Sequence, residues 1–115
     1  FHFTHQGAEW VDGSDEWMGT TWRGYTSEKK AMTDELDMVA AWAAQRNRPV
    51  FVGEFGAYSK ADMTSRVAWT RTLREEAEQR AMSWSYWEFC AGFGIYNPGN
   101  NQWRTELLNA LIPQQ

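Results

Sequence analysis

Pro49-Val50-Phe51-Val52-Gly53-Glu54-Phe55-Gly56-Ala57-Tyr58 is the stretch whose reading decides the fold. A proline opens a short apolar run, and a turn closes it, which is the pattern of a buried strand. At its end one carboxylate, Glu54, sits between Gly53 and Gly56. A lone acid at the tip of an apolar strand is either solvated in a cleft or paired, because an unpaired buried charge is too costly. Period-two alternation sets Val50, Val52 and Glu54 on one face and Phe51 and Phe55 on the other. In a parallel α/β protein, acids at strand C-termini are where catalysis gathers. The plain alternative is an acidic turn residue whose glycines serve only the chain reversal.

Downstream, Ser59-Lys60-Ala61-Asp62 has capping-box spacing and is expected to open a helix. Met63, Val67, Thr70, Leu73 and Ala77 form its buried stripe, with Arg71, Arg74, Glu75, Glu76, Glu78 and Arg80 toward water. A second strand follows, Ser83-Trp84-Ser85-Tyr86-Trp87-Glu88-Phe89. Alternation places Ser83, Ser85 and Trp87 on one face and Trp84, Tyr86 and Glu88 on the other. Small serines beside Trp87 suit the crowded inside of a barrel, and Trp84 and Tyr86 suit packing under helices. Cys90 to Asn101 reads as a glycine-rich loop turning at Pro98-Gly99. Its Gly92-Phe93-Gly94 is too short for a phosphate loop. Trp103 to Leu111 reads as a last short helix with Leu107, Leu108 and Leu111 inside.

Upstream, Ser27-Glu28 looks like a helix start. Met32, Leu36, Val39, Ala40 and Ala43 then give an apolar stripe to about Arg46, and Asn47 and Pro49 stop it. Phe1 to His5 reads as the tail of a strand. Residues 6 to 22 read as a long aromatic-rich loop, and loops of that length in compact domains are usually functional. His2 and His5 have a spacing seen in metal sites, but no third ligand follows at a plausible interval. Hydrogen bonding by His5 in a cleft is the better expectation. Equivalent points of the two strands, Val50 and Ser83, lie 33 residues apart with one helix between, the rhythm of a βαβ unit and a parallel sheet.

The 115 residues suit one small domain or part of a larger one. With 11 basic and 15 acidic side chains the net charge is −4, and no basic stripe offers itself to nucleic acid. Eight Trp, six Phe and four Tyr exceed what a core this small needs. Rings with an apolar face and a polar edge suit sugars, and the acidic balance favours sugar over nucleobases. The single Cys90 allows no internal disulfide, and no apolar run approaches a membrane span. A chain opening on Phe1 is expected to be a processed product or a piece of a longer protein.

Three blocks together carry a family resemblance. Phe3-Thr4-His5-Gln6-Gly7-Ala8-Glu9-Trp10, Gly53-Glu54-Phe55-Gly56 and Trp84-Ser85-Tyr86-Trp87-Glu88-Phe89 resemble, in order and spacing, the last part of a glycoside hydrolase family 5 cellulase. The resemblance implies that residues 1–115 are part of a (β/α)8 TIM-barrel catalytic domain, from the end of strand six through helix eight. It implies that Glu54 is the nucleophile of a retaining endo-β-1,4-glucanase and that Trp87 stacks on the sugar beside the cleaved bond. His5 and Trp10 would reach the substrate cleft from the loop after strand six. Trp22 joins the candidate sugar-binding aromatics on its place in the same long loop. No metal or cofactor is implied, and export from a bacterial cell is.

The family's acid/base glutamate belongs to an Asn-Glu pair on strand four, and this chain has no such element. Glu88, Glu9 and Glu16 are the substitutes at hand, and alternation points Glu88 away from Trp87. Three functions therefore compete. The chain is the nucleophile-bearing part of a glucanase; or Trp87, Trp10 and Trp22 bind glucan without turnover; or exposed strand edges drive assembly. Unpaired parallel edges make a homo-oligomer, or a complementary N-terminal barrel fragment, the expected partner.

Overall fold

The computed structural model describes residues 2–114. The elements in order are α1 (His2–His5), a 3-10 turn (Ser14–Trp17), α2 (Thr26–Arg46), β1 (Phe51–Phe55), α3 (Met63–Gln79), β2 (Ser83–Tyr86), β3 (Tyr96–Asn97), β4 (Gln102–Trp103) and α4 (Thr105–Leu111). β1 and β2 pair in parallel across the α3 crossover, as the 33-residue spacing predicts, and β3 and β4 form a small antiparallel ribbon.

The register of the parallel pair holds the decisive detail. Phe51 lies opposite Ser83, Val52 opposite Trp84, and Phe55 opposite Tyr86. From Val52 to Phe55 is three steps on β1, but Trp84 to Tyr86 is two on β2. One extra residue therefore sits in β1 at Gly53-Glu54, a β-bulge that reverses the alternation after it. Partners across a ladder share a face. Phe51 thus joins Ser83 and Ser85 on the open face, where all three are exposed. Val52 joins Trp84, Tyr86 and Phe55 on the face toward α3. The expectation that Phe51 and Phe55 share a face is corrected by this bulge. Phe55 is buried and packs edge-on against Trp84 and Tyr86, with Trp69 of α3 tilted against it.

The helices settle other expectations. On α2, Met32, Leu36, Val39 and Ala40 are half-buried and Ala43 is buried, as the stripe predicts. Its N-cap is Tyr25 and not Ser27; Glu28 closes the first turn by accepting from the Tyr25 N–H at 2.8 Å. α3 begins one turn later than Ser59 implies, because Asp62 is the cap, accepting from the Ser65 N–H at 2.9 Å. Arg74, expected in water, is buried: its Nε donates to the Ala110 carbonyl and its other nitrogens to Glu75 and Glu78. It is the clamp between α3 and α4, on which Leu107, Ala110 and Leu111 are buried.

Two loop expectations fail. His2–His5 is a helical turn and not a strand tail, with Phe3 and Thr4 consecutive in the interior; Phe1 lies outside the described residues. Five residues are too few to separate period two from a turn of helix. The expected loop from Cys90 to Asn101 contains β3 at Tyr96–Asn97, and Trp103, expected to begin the last helix, pairs in β4 before α4 begins at Thr105.

Candidate active site

Glu54, Trp87, His5 and Trp10 converge on one cleft of about 790 Å³. Two contacts draw the strand ends together. The Trp87 N–H donates to the Phe55 carbonyl at 2.8 Å, and Gly56 passes so close to the Trp87 carbonyl that a Cβ there would strike it. Glycine is therefore required at position 56 for close approach. Glu54 and Trp87 are both exposed, on the ends of neighbouring strands. The Trp87–Glu88 peptide bond is cis.

Phe93 organises the aromatic side of the cleft. It is buried, 5.3 Å from the Tyr58 ring, 5.9 Å from the edge-on His5 ring and 6.1 Å from Trp10. Trp10 also meets Tyr58 edge-on at 4.9 Å while staying exposed. Three loops, each from a different part of the chain, thus meet on one ring. Arg66 of α3 fastens two of them: buried, it donates from Nε to the Ala57 carbonyl and from a terminal nitrogen to the Phe93 carbonyl, both at 3.0 Å. The Tyr86 hydroxyl donates to the same Phe93 carbonyl at 2.7 Å. Burial presses the Arg66 guanidinium down from its ordinary range, and the adjoining Tyr86 partly offsets this. Burial pushes the Tyr86 phenol up.

His5 is half-buried, with the Thr4 hydroxyl 2.8 Å from its Nδ1. Burial holds its imidazole below the usual histidine value, so it is neutral at pH 7 and suited to hydrogen bonding. His2 stacks on Trp17, and among the described residues no group of three or more His, Cys, Asp or Glu gathers as a metal site would need.

Glu88 lines the cleft, contrary to the alternation argument, yet its carboxylate is occupied. It accepts from the N–H groups of Cys90, Ala91 and Phe93 at 2.8–3.1 Å, closing the loop that carries Phe93. Trp22 is not in the cleft. It is buried with Phe3, Ala57 and Ala61, and its N–H is accepted by the Ser65 hydroxyl. Its place in the loop suggested a sugar contact; its position is that of core.

Sequence reasoning missed Phe93, Tyr58 and Arg66. The signal for the first two was the glycine pair around Phe93. Gly92 lies against the Tyr58 ring and Gly94 against the Phe89–Cys90 backbone, so both mark close approach and not a phosphate loop. Arg66 gave no signal, since an arginine at that spacing reads as a solvated helix face.

Residues 2–92 match the family model described as cellulase (glycosyl hydrolase family 5). Endoglucanase H of Acetivibrio thermocellus is 32% identical over 118 residues, a stretch that covers 97% of this chain and 12% of that protein. Among solved structures, Cel5A of Thermotoga maritima in complex with cellobiose is 47% identical with a TM-score of 0.94, over 97% of this chain and 36% of that one. The cellulose synthase subunit Z of Clostridioides difficile is 40% identical with a TM-score of 0.91, over 96% of this chain and 37% of that one. The chain thus spans little more than a third of these solved relatives. On the family match and these likenesses, the chain belongs to glycoside hydrolase family 5, a TIM-barrel family of cellulases.

Proposed function

We propose that this chain carries the nucleophile half of a retaining endo-β-1,4-glucanase site, from the end of strand six through helix eight of the barrel. In this reading Glu54 attacks the anomeric carbon of a β-glucan, and the aglycone oxygen leaves with a proton from a second carboxyl group. Retention asks for the two carboxyl groups about 5–5.5 Å apart. Trp87 supplies a flat apolar face for the sugar ring next to the cleaved bond, and Trp10 and neutral His5 line the approach. The observation that carries the reading is the β1 bulge, which sets Glu54 on the open face at the strand tip, beside Trp87. A bulge beside an active site is a common way of aiming one side chain.

The acid is assigned to residues outside these 115. Glu88, though nearby, already accepts from three backbone N–H groups. The partner is accordingly a neutral glucan chain, with the rest of a barrel, from this protein or a second copy, completing the cleft. Export from a bacterial cell goes with this reading. Among the described residues no helix is long and apolar enough to cross a membrane.

The test separates the nucleophile from the acid. A cellobioside with a 2-fluoro substituent and a dinitrophenolate leaving group needs no general acid to depart. Incubated with the protein, it is expected to leave one covalent sugar on the peptide containing Glu54, read by mass spectrometry, and none on Glu54→Gln. An adduct elsewhere, or none under conditions where the protein binds cellobiose, sinks the assignment.

A further inference from the structure

Phe89, Tyr96 and Trp103 form an aromatic corner that the cleft does not use. The Phe89 and Tyr96 rings are parallel within 2° at 5.4 Å, and Trp103 stands edge-on to both, at 5.7 and 5.3 Å. Phe89 is 54% exposed and Trp103 49%. Large rings packed this way and left half in water are a surface that something covers.

Backbone hydrogen bonds and a strand ladder hold the corner, and the segment that carries it is uncharged. Tyr96 N–H donates to the Phe89 carbonyl at 2.9 Å, and the β3–β4 ladder sets Tyr96 opposite Trp103. The Arg104 guanidinium turns inward, donating to the Gly94 and Tyr96 carbonyls at 2.9 and 2.6 Å. Residues 89–103 hold no Asp, Glu, Lys, Arg or His, although the whole chain is 23% charged. Amides rim the rings instead. The Asn97 and Asn100 side-chain oxygens accept from Gly99 and Gln102 N–H groups, and among the described residues their amino groups meet no acceptor. An aromatic floor with neutral amide edges fits an uncharged polyol; it gives a nucleic acid no cation and a charged peptide no counter-ion.

Position selects the ligand. Phe89 directly follows Trp87 and Glu88, which line the cleft, so its Cα lies within about 7 Å of that of Trp87. The corner therefore lies within reach of a polymer that rests on Trp87. We propose that Phe89, Tyr96 and Trp103 form an accessory stacking site for a β-glucan chain, continuous with the cleft. This rests on the glucanase reading of the cleft and carries the bound glucan chain beyond it.

Affinity electrophoresis through gels containing hydroxyethyl cellulose, alongside calorimetric binding of cellobiose, tests both readings separately. Trp103→Ala and Phe89→Ala are expected to weaken polymer retardation roughly three- to tenfold while cellobiose affinity is unchanged. Trp103→Phe is expected to restore most of the loss, and Trp87→Ala to weaken both ligands. Circular dichroism checks folding, and Phe89→Ala stands in if Trp103→Ala does not fold. Wild-type protein retarded by the polymer, with both alanine variants retarded equally, overturns the accessory site and leaves the cleft reading intact. Wild-type protein that binds neither ligand overturns the cleft reading and the accessory site with it. A change of sedimentation coefficient in Trp103→Ala makes the corner a protein contact and also overturns the proposal.

Discussion

Glu88 holds its loop with both carboxylate oxygens, making four contacts to three N–H groups between Cys90 and Phe93. Hydrogen bonds to a charged acceptor contribute about 1.5–3 kcal/mol each when sheltered, but these are partly exposed and water competes for them. Glu88→Ala is therefore expected to lower stability by about 1–2 kcal/mol in urea unfolding. Amide exchange at Cys90, Ala91 and Phe93 should quicken more than elsewhere. Glu88→Gln keeps one acceptor oxygen and should lose less. Equal losses in the two variants, or unchanged exchange, would show that the loop does not hang on this side chain. The contrast with Glu54 shows what single residues reveal in a sequence. Glu54 stood out because a strand tip and two glycines isolate it. Glu88 directly follows Trp87 in sequence, but its orientation depends on where the chain goes over the next five residues. Trp22 misled for the same reason: an aromatic in a long loop has no local mark that separates core from cleft.

Elements were legible where their periods were long and obscure at their ends. α2 and α3, helices of 21 and 17 residues, follow from sustained apolar stripes, and the parallel pair follows from one crossover. The caps did not, because Ser59 and Asp62 are both good capping residues and only tertiary contact decides. The Ser59 backbone N–H donates to the Gly92 carbonyl, which ties that residue into the loop outside the helix, and Asp62 caps α3. Asp62→Ala should cost about 1 kcal/mol of stability at neutral pH, measured by thermal or urea unfolding. The hydrogen bond from Ser65 holds the Asp62 carboxyl below its ordinary value. A depressed carboxylate stabilises the fold above its unfolded pKa and loses that contribution as pH falls through the folded one. The gap between wild type and Asp62→Ala should accordingly narrow on acidification below the usual aspartate range. A gap that stays constant there would mean that the cap does not act through its charge. The bulge was the element-scale surprise. Strict alternation put Glu54 and Val52 on one face, and the extra residue is what separates them.

At the scale of the whole molecule, two parallel strands with helices on one side leave a face and two edges without cover. Parallel sheets are found with both faces packed. Here the open face shows Phe51 at 63% exposure beside Ser83 and Ser85; on the helical side Met38 and Trp42 of α2 are exposed as well. The solved Cel5A relative is nearly three times as long as the part this chain matches, so the relative has ample further structure to meet such a face. The sequence pointed to this incompleteness through the βαβ count, but it could not say which ring would stand on the open side; the bulge chose Phe51. Purified at tens of micromolar, the chain is expected to sediment as an assembly of more than one copy, because apolar area of this kind seeks burial. Phe51→Lys puts a charge on the strand face and should shift the distribution toward single chains. Ser59→Lys, on an exposed turn, should leave it unchanged. If wild type sediments as a single copy throughout that range, the open face tolerates water. Completion of the cleft by a second copy would then give way to completion by a separate stretch of barrel. That outcome is checked by adding such a stretch in trans and looking for a one-to-one complex that Phe51→Lys weakens.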